Sequence, residues 1–299
     1  MKRYRVVLVG CGDLGARCGG ILLERGWEVA GVRRDASRLP PGFRAIAADY
    51  TVPGSLDFLA ALRPDYVVAF FAPSDRSATG YQRGFTLAAR HLVAGLGEHR
   101  PAGMLMVSST RVFAERAGGW VDEHSPLAND DSRALAIIAA EQLLQGSPHR
   151  ACVVRCAGLY GAPGGRLLDR VKRGDWAGQT VQGYGNRIHR EDCAGFLAHL
   201  LTKWAAGADL ASVYIAADDL PAPQLEVARW LAAQLHVPGT PGPPPGLEQP
   251  RQTGHKRCSN RLLHESGYRL LYPDYRSGYA AVLVAGQGRD SDAISVTRP

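Results

Sequence analysis

Lysine is nearly missing from this 299-residue chain, occurring only as Lys2, Lys172, Lys203 and Lys256, so the formal charge of +7 rests on arginine. The arginines are scattered, and no aromatic RNA-binding pattern accompanies them, which argues against nucleic acid as a partner. Long hydrophobic runs are lacking as well. No stretch approaches the roughly 18 uninterrupted apolar residues of a membrane span, and Lys2-Arg3-Tyr4-Arg5 leads only into a short run that stops at Gly10. The expectation is a soluble, cytoplasmic protein with no membrane partner. The six cysteines (11, 18, 152, 156, 193 and 258) include no Cys-x-x-Cys pair and sit mostly in apolar segments, so they read as reduced core residues. Cys152 and Cys156 share one face of an expected strand but bring no other ligands, so no metal site is expected.

What the chain does have is a glycine turn in a telling context. The run Val6-Val7-Leu8-Val9 enters Gly10-Cys11-Gly12-Asp13-Leu14-Gly15, and a helical stretch follows from Ala16 to Arg25. Gly10 permits the tight turn, Gly12 lets the backbone approach a pyrophosphate, and Gly15 allows close packing of helix on strand. The helix N-terminus then faces the anion, with Asp13 and Leu14 in its first turn. A second strand at Glu28 to Val32 completes the βαβ start.

Further strands are expected at Ala45 to Ala48, Tyr66 to Phe71, Met104 to Ser108 and Cys152 to Arg155, and helices at Ser55 to Leu62, Tyr81 to Leu96 and Ser132 to Gln145. This alternation predicts a Rossmann-type doubly wound parallel sheet over residues 1–160, with a smaller C-terminal α/β substrate lobe over 161–285. The second half carries helical patterns at Leu167 to Arg173, Glu191 to Trp204 and Gln224 to His236, and a strand at Val213 to Ala216. Pro238 to Pro250 reads as a linker and Gly286 to Pro299 as a disordered tail. Ligands of such sheets bind beyond the carboxyl ends of the strands. That singles out Arg33-Arg34, Asp49-Tyr50, Phe71-Ala72-Pro73, Ser108-Ser109-Thr110 and Ala157 to Gly161.

With these motifs in order, the chain resembles the extended short-chain dehydrogenase/reductases, which include nucleotide-sugar epimerases and dehydratases, and most closely their atypical branch. The resemblance spans about residues 4 to 285 and also takes in Glu141, Arg155 to Gly161 and Asn186 to Asp192. It implies pyrophosphate at the glycine turn, adenine near Asp49, cofactor contacts from Tyr50, Ala72, Pro73 and Ser108, and a hydroxyl from Ser109 beside the substrate carbonyl.

The family's Tyr-x-x-x-Lys pair is absent: none of the 11 tyrosines has lysine four residues on. In the register set by Glu141, Arg133 takes the tyrosine position and Ile137 the lysine position. Arginine stays protonated, and isoleucine cannot replace an ammonium. Replacement acids are expected among Tyr160, Tyr184 and His189. Two function classes follow: an NAD(P)-dependent oxidoreductase or epimerase-like enzyme, or a non-catalytic NADP(H)-binding redox sensor. Arg166, Arg170, Arg187 and Arg190 suggest a small-molecule substrate that is anionic or nucleotide-linked. The oligomeric state is left open. For the cofactor, Arg33 and Arg34 at the end of the second strand favour NADP through its 2′-phosphate, whereas NAD is the alternative if Asp35 meets the ribose.

Overall fold

The computed structural model describes residues 3–162, 164–176, 183–238 and 254–295. The chain begins β1 (Arg5–Val9), α1 (Asp13–Glu24), β2 (Glu28–Arg33), β3 (Arg44–Ala47), α2 (Phe58–Leu62), β4 (Tyr66–Ala69), α3 (Ala78–Tyr81) and α4 (Ala88–Leu96). It continues with β5 (Gly103–Ser109), β6 (Trp120–Val121), α5 (Ser132–Gln145), β7 (Ala151–Cys156), β8 (Gly158–Tyr160), α6 (Arg166–Lys172), β9 (Tyr184–Gly185) and β10 (Arg187–His189). It ends with α7 (Arg190–Ala205), β11 (Val213–Ala216), β12 (Ala222–Pro223), α8 (Gln224–Gln234), β13 (Arg257–Cys258), α9 (Arg261–Glu265) and α10 (Tyr275–Ser295).

Strands with apolar residues on both faces can only be central, and β1, β4 and β5 are buried almost throughout. They lie in a seven-stranded parallel sheet of order β11-β7-β5-β4-β1-β2-β3. The order reverses between β1 and β4, where Val9 stands level with Ala69, so the loops after these two strands part and leave a crevice at their carboxyl ends.

A second core joins Leu168 and Val171 of α6, Val227 and Leu231 of α8, and Tyr275 and Tyr279 of α10. This lobe is mainly helical, supplemented by the short pairs β8–β10 and β9–β12. Not all of the chain after residue 160 belongs to it. β11 is the edge strand of the large sheet beside β7, and α7 packs back on α1, where Arg25 donates to the Ala198 carbonyl at 3.2 Å and to Thr202 at 2.7 Å. The division at 160 is therefore corrected: residues 190–216 return to the dinucleotide-type layer. Sequence pattern alone could not assign them, because α7 is apolar enough to serve either core.

Several boundaries also move. The strand expected to reach Phe71 stops at Ala69, although Phe70 still donates to the Val9 carbonyl at 2.8 Å. The helix expected from Tyr81 begins at Ala78 and carries a π turn over Gln82–Leu87. Gly84 in that turn lies against the Ala72 carbonyl, so any side chain there would displace the loop after β4. The helix α10 runs to Ser295, into the segment read as a disordered tail, while residues 296–299 lie outside the described residues. Of the expected linker only Pro238 is described; residues 239–250 lie outside.

Candidate functional site

Two cavities open at the sheet's carboxyl edge, one on each side of the glycine turn. The first, about 420 Å³, is bounded by Gly10, Gly12 and the strand-end residues Arg33, Arg34, Asp49 and Tyr50, with Ala72 and Pro73 from the loop after β4. Gly10 is required here: its φ is +78°, and a Cβ would stand 2.5 Å from the Phe70 carbonyl oxygen. Its N–H and that of Cys11 both donate to the Val32 carbonyl at 2.9 Å, which binds the turn to β2. A Cβ on Gly12 would meet no atom closer than 4.0 Å, so the backbone there faces open space at the N-cap of α1. Gly15 has the packing role expected of it, buried against Cys11 and Phe70.

Arg38 and Arg83 join Arg33 and Arg34 in this cavity, and among the described residues none of the four guanidiniums is in an ion pair. Asp35 also lines it, but its carboxylate accepts the Ser37 hydroxyl at 2.6 Å, the first of the contacts that hold it below its usual pKa. Asp49 accepts the Thr51 N–H and hydroxyl at 2.9 and 2.7 Å. Burial opposes its ionisation, but these bonds and the charges of Arg34 and Arg83 prevail and keep its pKa low. The Ala72 N–H donates to the Tyr50 hydroxyl at 3.2 Å, closing the wall between strand ends.

The second cavity, about 890 Å³, starts from Asp13 and Leu14 in the first turn of α1 and spreads between β8, β10, α6 and α10. Arg166, Arg170, Arg187 and Arg190 all line it, so four arginines separated by as many as 24 positions (166 to 190) converge on one space. Arg190 reaches Asp13 at 3.6 Å. Among the described residues the other three have no carboxylate partner: Arg170 donates to the Asp175 carbonyl at 3.1 Å, and the buried Arg187 to the Gly185 and Ala222 carbonyls at 3.0 and 3.3 Å. Behind Arg187 lies Asp218, a buried carboxyl that burial pushes up to about 8. Leu159, half exposed, and Tyr279 give the cavity apolar surface.

The expected acids are placed differently from one another. Tyr160 lines the second cavity, but its hydroxyl donates to the Asp274 carbonyl at 3.2 Å, its ring packs 4.8 Å from Tyr279, and burial pushes its pKa up. His189 lines neither cavity: its Nδ1 accepts the Glu191 N–H at 3.3 Å as the N-cap of α7, and burial lowers its pKa to about 4. Tyr184 stacks on His255 at 5.7 Å under the Arg257 guanidinium. The Ser109 hydroxyl, at the end of β5, accepts the Arg111 N–H at 3.2 Å.

Ser108, expected at the cofactor, is buried instead with its hydroxyl donated to Glu141, which pairs with Arg155 at 2.8 Å. Alternation along β5 explains the correction, since neighbouring residues point to opposite faces and Ser108 meets α5. Ile137 is buried in the core, and Arg133 at the start of α5 stands 6.0 Å over the Tyr81 ring. All six cysteines are free and buried, with Cys156 and Cys193 in contact at 3.4 Å, and no cluster able to hold a metal occurs among the described residues.

Sequence reasoning missed Arg38 and Arg83 in the first cavity and Gln224 and Tyr279 in the second, whereas Asn186 in the second lies in the expected substrate-side segment. Arg83 lies in the π turn, which no local pattern announced, and Gln224 and Tyr279 meet only through tertiary packing.

The family model described as NAD(P)H-binding matches residues 10–203. A putative NAD-dependent epimerase/dehydratase from Methylobacillus flagellatus is 31% identical, with 96% of this chain and 100% of that one covered and a TM-score of 0.81. A 3-diazoavenalumate denitrifying reductase from a Streptomyces species is 27% identical over 312 residues, covering 92% of this chain and 98% of its own. A human epimerase family protein solved with NADPH shares the fold at 20% identity, a TM-score of 0.73, and 93% and 98% coverage.

Proposed function

The chain belongs to the NAD(P)H-binding family of short-chain dehydrogenase/reductase type, and from that premise we propose that it is an NADP-dependent reductase acting on a small anionic carbonyl compound. The observation that carries the cofactor choice is the set of four guanidiniums at the end of β2 and across from it that have no ion pair among the described residues. A 2′-phosphate carries about two negative charges, and arginine forks meet phosphate oxygens with strong charge-assisted bonds. A ribose hydroxyl would leave those charges unanswered, and the carboxylate that would seek it, Asp35, already accepts from Ser37.

The residues present fit the cofactor. The open backbone at Gly12 and the N-terminus of α1 would hold the pyrophosphate, Arg33 and Arg34 the 2′-phosphate, and Asp49 and Tyr50 would border the adenine. When bound, the group supplies a hydride. The chain's own contribution is orientation and charge: Arg166, Arg170 and Arg187 attract an anionic substrate into the second cavity, which meets the first at the start of α1. Leu159 and Tyr279 accept its apolar part.

Titration of the purified protein with NADPH and NADH, followed by protein-to-nicotinamide energy transfer, tests the cofactor. At least ten-fold tighter NADPH binding is expected, and equal or tighter NADH binding overturns the assignment. NADPH oxidation against carboxylated and phosphorylated aldehydes, ketones and nucleotide sugars tests the activity. Tight NADPH binding with no oxidation across that panel would favour a redox sensor over an enzyme.

A further inference from the structure

Two helix N-termini meet beside the second cavity, and the charges between them are unequally committed. Arg25, just past the end of α1, bonds the Ala198 carbonyl and Thr202 later in α7, while nearer the start of both helices Arg17 pairs with Glu191 and Arg190 reaches Asp13. The contacts follow the same order along each helix, so α1 and α7 run side by side in one direction. Their positive dipole ends therefore converge at the carboxyl edge of the sheet. His189 caps α7 by accepting the Glu191 N–H at 3.3 Å. No side chain caps α1, which starts from the open backbone at Gly12.

Asp13, in the first turn of α1, would oppose an anion there, but it is neutralised by one arginine alone. Arg17 grips both carboxylate oxygens, Nε to Oδ2 at 3.0 Å and Nη2 to Oδ1 at 3.2 Å, and is itself anchored on Glu191. Arg190 adds little to that grip. Its Nη1 stands 3.6 Å from Asp13 Oδ2, beyond hydrogen-bond reach, and its Nε is buried with no hydrogen-bond partner among the described residues. A buried donor left in this state costs stability that a ligand oxygen would relieve.

Placement then says which ligand. Arg190 lines the second cavity with Asp13 and Leu14 and does not line the first, where the adenosine end of the cofactor is assigned above. A dinucleotide that starts in the first cavity and passes the N-terminus of α1 brings its nicotinamide half to the side on which Arg190 stands.

We propose that Arg190 binds the nicotinamide-side phosphate of the dinucleotide, its guanidinium leaving Asp13 to Arg17 and turning to the phosphate at the start of α1. The role rests on the cofactor reading above. The exchange strands no charge, because Asp13 keeps two bonds from Arg17, and it gives the phosphate a planar fork of donors in addition to the backbone. Arg166, Arg170 and Arg187 stay available to the substrate.

Arginine modification by phenylglyoxal tests this on the wild-type chain, with peptide mapping to compare Arg33, Arg34 and Arg190. NADPH is expected to slow modification of all three about ten-fold. Reduced nicotinamide mononucleotide is expected to protect Arg190 and not Arg33 or Arg34, and 2′,5′-ADP the reverse. Arg190 modified at its free rate with NADPH bound, or protected by 2′,5′-ADP as well as by the mononucleotide, overturns the proposal. Arg190→Gln is expected to weaken NADPH and NADH alike, about ten-fold each, with 2′,5′-ADP affinity within about two-fold of wild type as the check on folding. Arg190→Lys, which keeps the charge, is expected to regain at least about three-fold of that loss. Wild-type NADPH affinity in Arg190→Gln overturns the proposal, and the wild-type modification decides the matter where that variant does not fold. Two other results bear on the reading beneath it. Wild type that binds NADH as tightly as NADPH removes the 2′-phosphate assignment and leaves Arg190 its role, whereas wild type that binds neither removes the cofactor reading and that role together.

Discussion

The two cavities are both arginine-rich, yet they are built in opposite ways. The first is made of backbone turns and strand ends within the first 83 residues, each placed by its own β–loop–α unit. The second draws Asp13, Tyr160, Arg166, Arg187, Gln224 and Tyr279 from across the chain, and its floor depends on the packing of α6, α8 and α10. A cavity formed by local turn geometry is set by a few residues and takes a constant ligand. One formed by tertiary convergence can change its ligand by changing any of several segments.

The contrast is broken most severely at Gly10. With φ at +78° and the Phe70 carbonyl oxygen 2.5 Å from the place a methyl group would occupy, Gly10→Ala must twist the turn away from β4. Binding of both NADPH and NADH is expected to fall at least about 100-fold, since the pyrophosphate site itself is lost. Retention of either affinity by titration would show that the turn does not touch the cofactor. Next in size, Arg33→Ala combined with Arg34→Ala is expected to weaken NADPH about 30-fold while leaving NADH within about two-fold, because only the 2′-phosphate loses partners. A parallel loss of both cofactors would place the two arginines outside the phosphate contact.

On the other side, Arg166→Ala combined with Arg170→Ala is expected to raise KM for an anionic substrate about ten-fold with NADPH affinity unchanged. Neither guanidinium has a carboxylate partner among the described residues, so their removal strands no buried charge. Equal KM values for charged and neutral substrates in wild type and variant would break the link between this cavity and an anion.

The same contrast sets what was legible in the sequence. Eight expected cofactor residues, among them Gly10, Gly12, Arg33, Arg34, Asp49 and Tyr50, line the first cavity with Ala72 and Pro73, because strand ends can be read from local periodicity. Ser108 escaped because its role depends on which face of β5 it occupies, a matter settled by Glu141 on α5. Tyr160 and His189 lie in segments that the family resemblance places near substrate. In the fold the Tyr160 hydroxyl is taken by the Asp274 carbonyl and His189 Nδ1 by the Glu191 N–H.

His189 offers a test through stability. Its folded pKa of about 4 lies below the ordinary 6.5, so the unfolded chain binds the proton more readily in that interval. The contribution of the neutral imidazole cap is fully present above pH 6.5 and is lost as pH falls towards about 4. The urea midpoint is expected to drop across this window in the wild type and less steeply in His189→Asn, which can still accept from the Glu191 N–H. Equal slopes would mean that His189 is not the group protonated on unfolding.

The smallest effect is expected at Tyr160, where the two roles of a cavity residue separate. Its ring borders the second cavity, but its hydroxyl donates to the Asp274 carbonyl at 3.2 Å, which ties β8 to the start of α10. A phenol engaged in that bond and held protonated by burial is a poor source of protons for a substrate. Tyr160→Phe keeps the packing on Tyr279 and removes one hydrogen bond, so it is expected to cost about 1 kcal/mol in stability. It is expected to change kcat less than about three-fold, against a loss of about 100-fold for removal of a general acid. A large fall in kcat with unchanged stability and unchanged NADPH affinity would reverse this reading, making Tyr160 the proton donor and requiring the Asp274 bond to open during turnover.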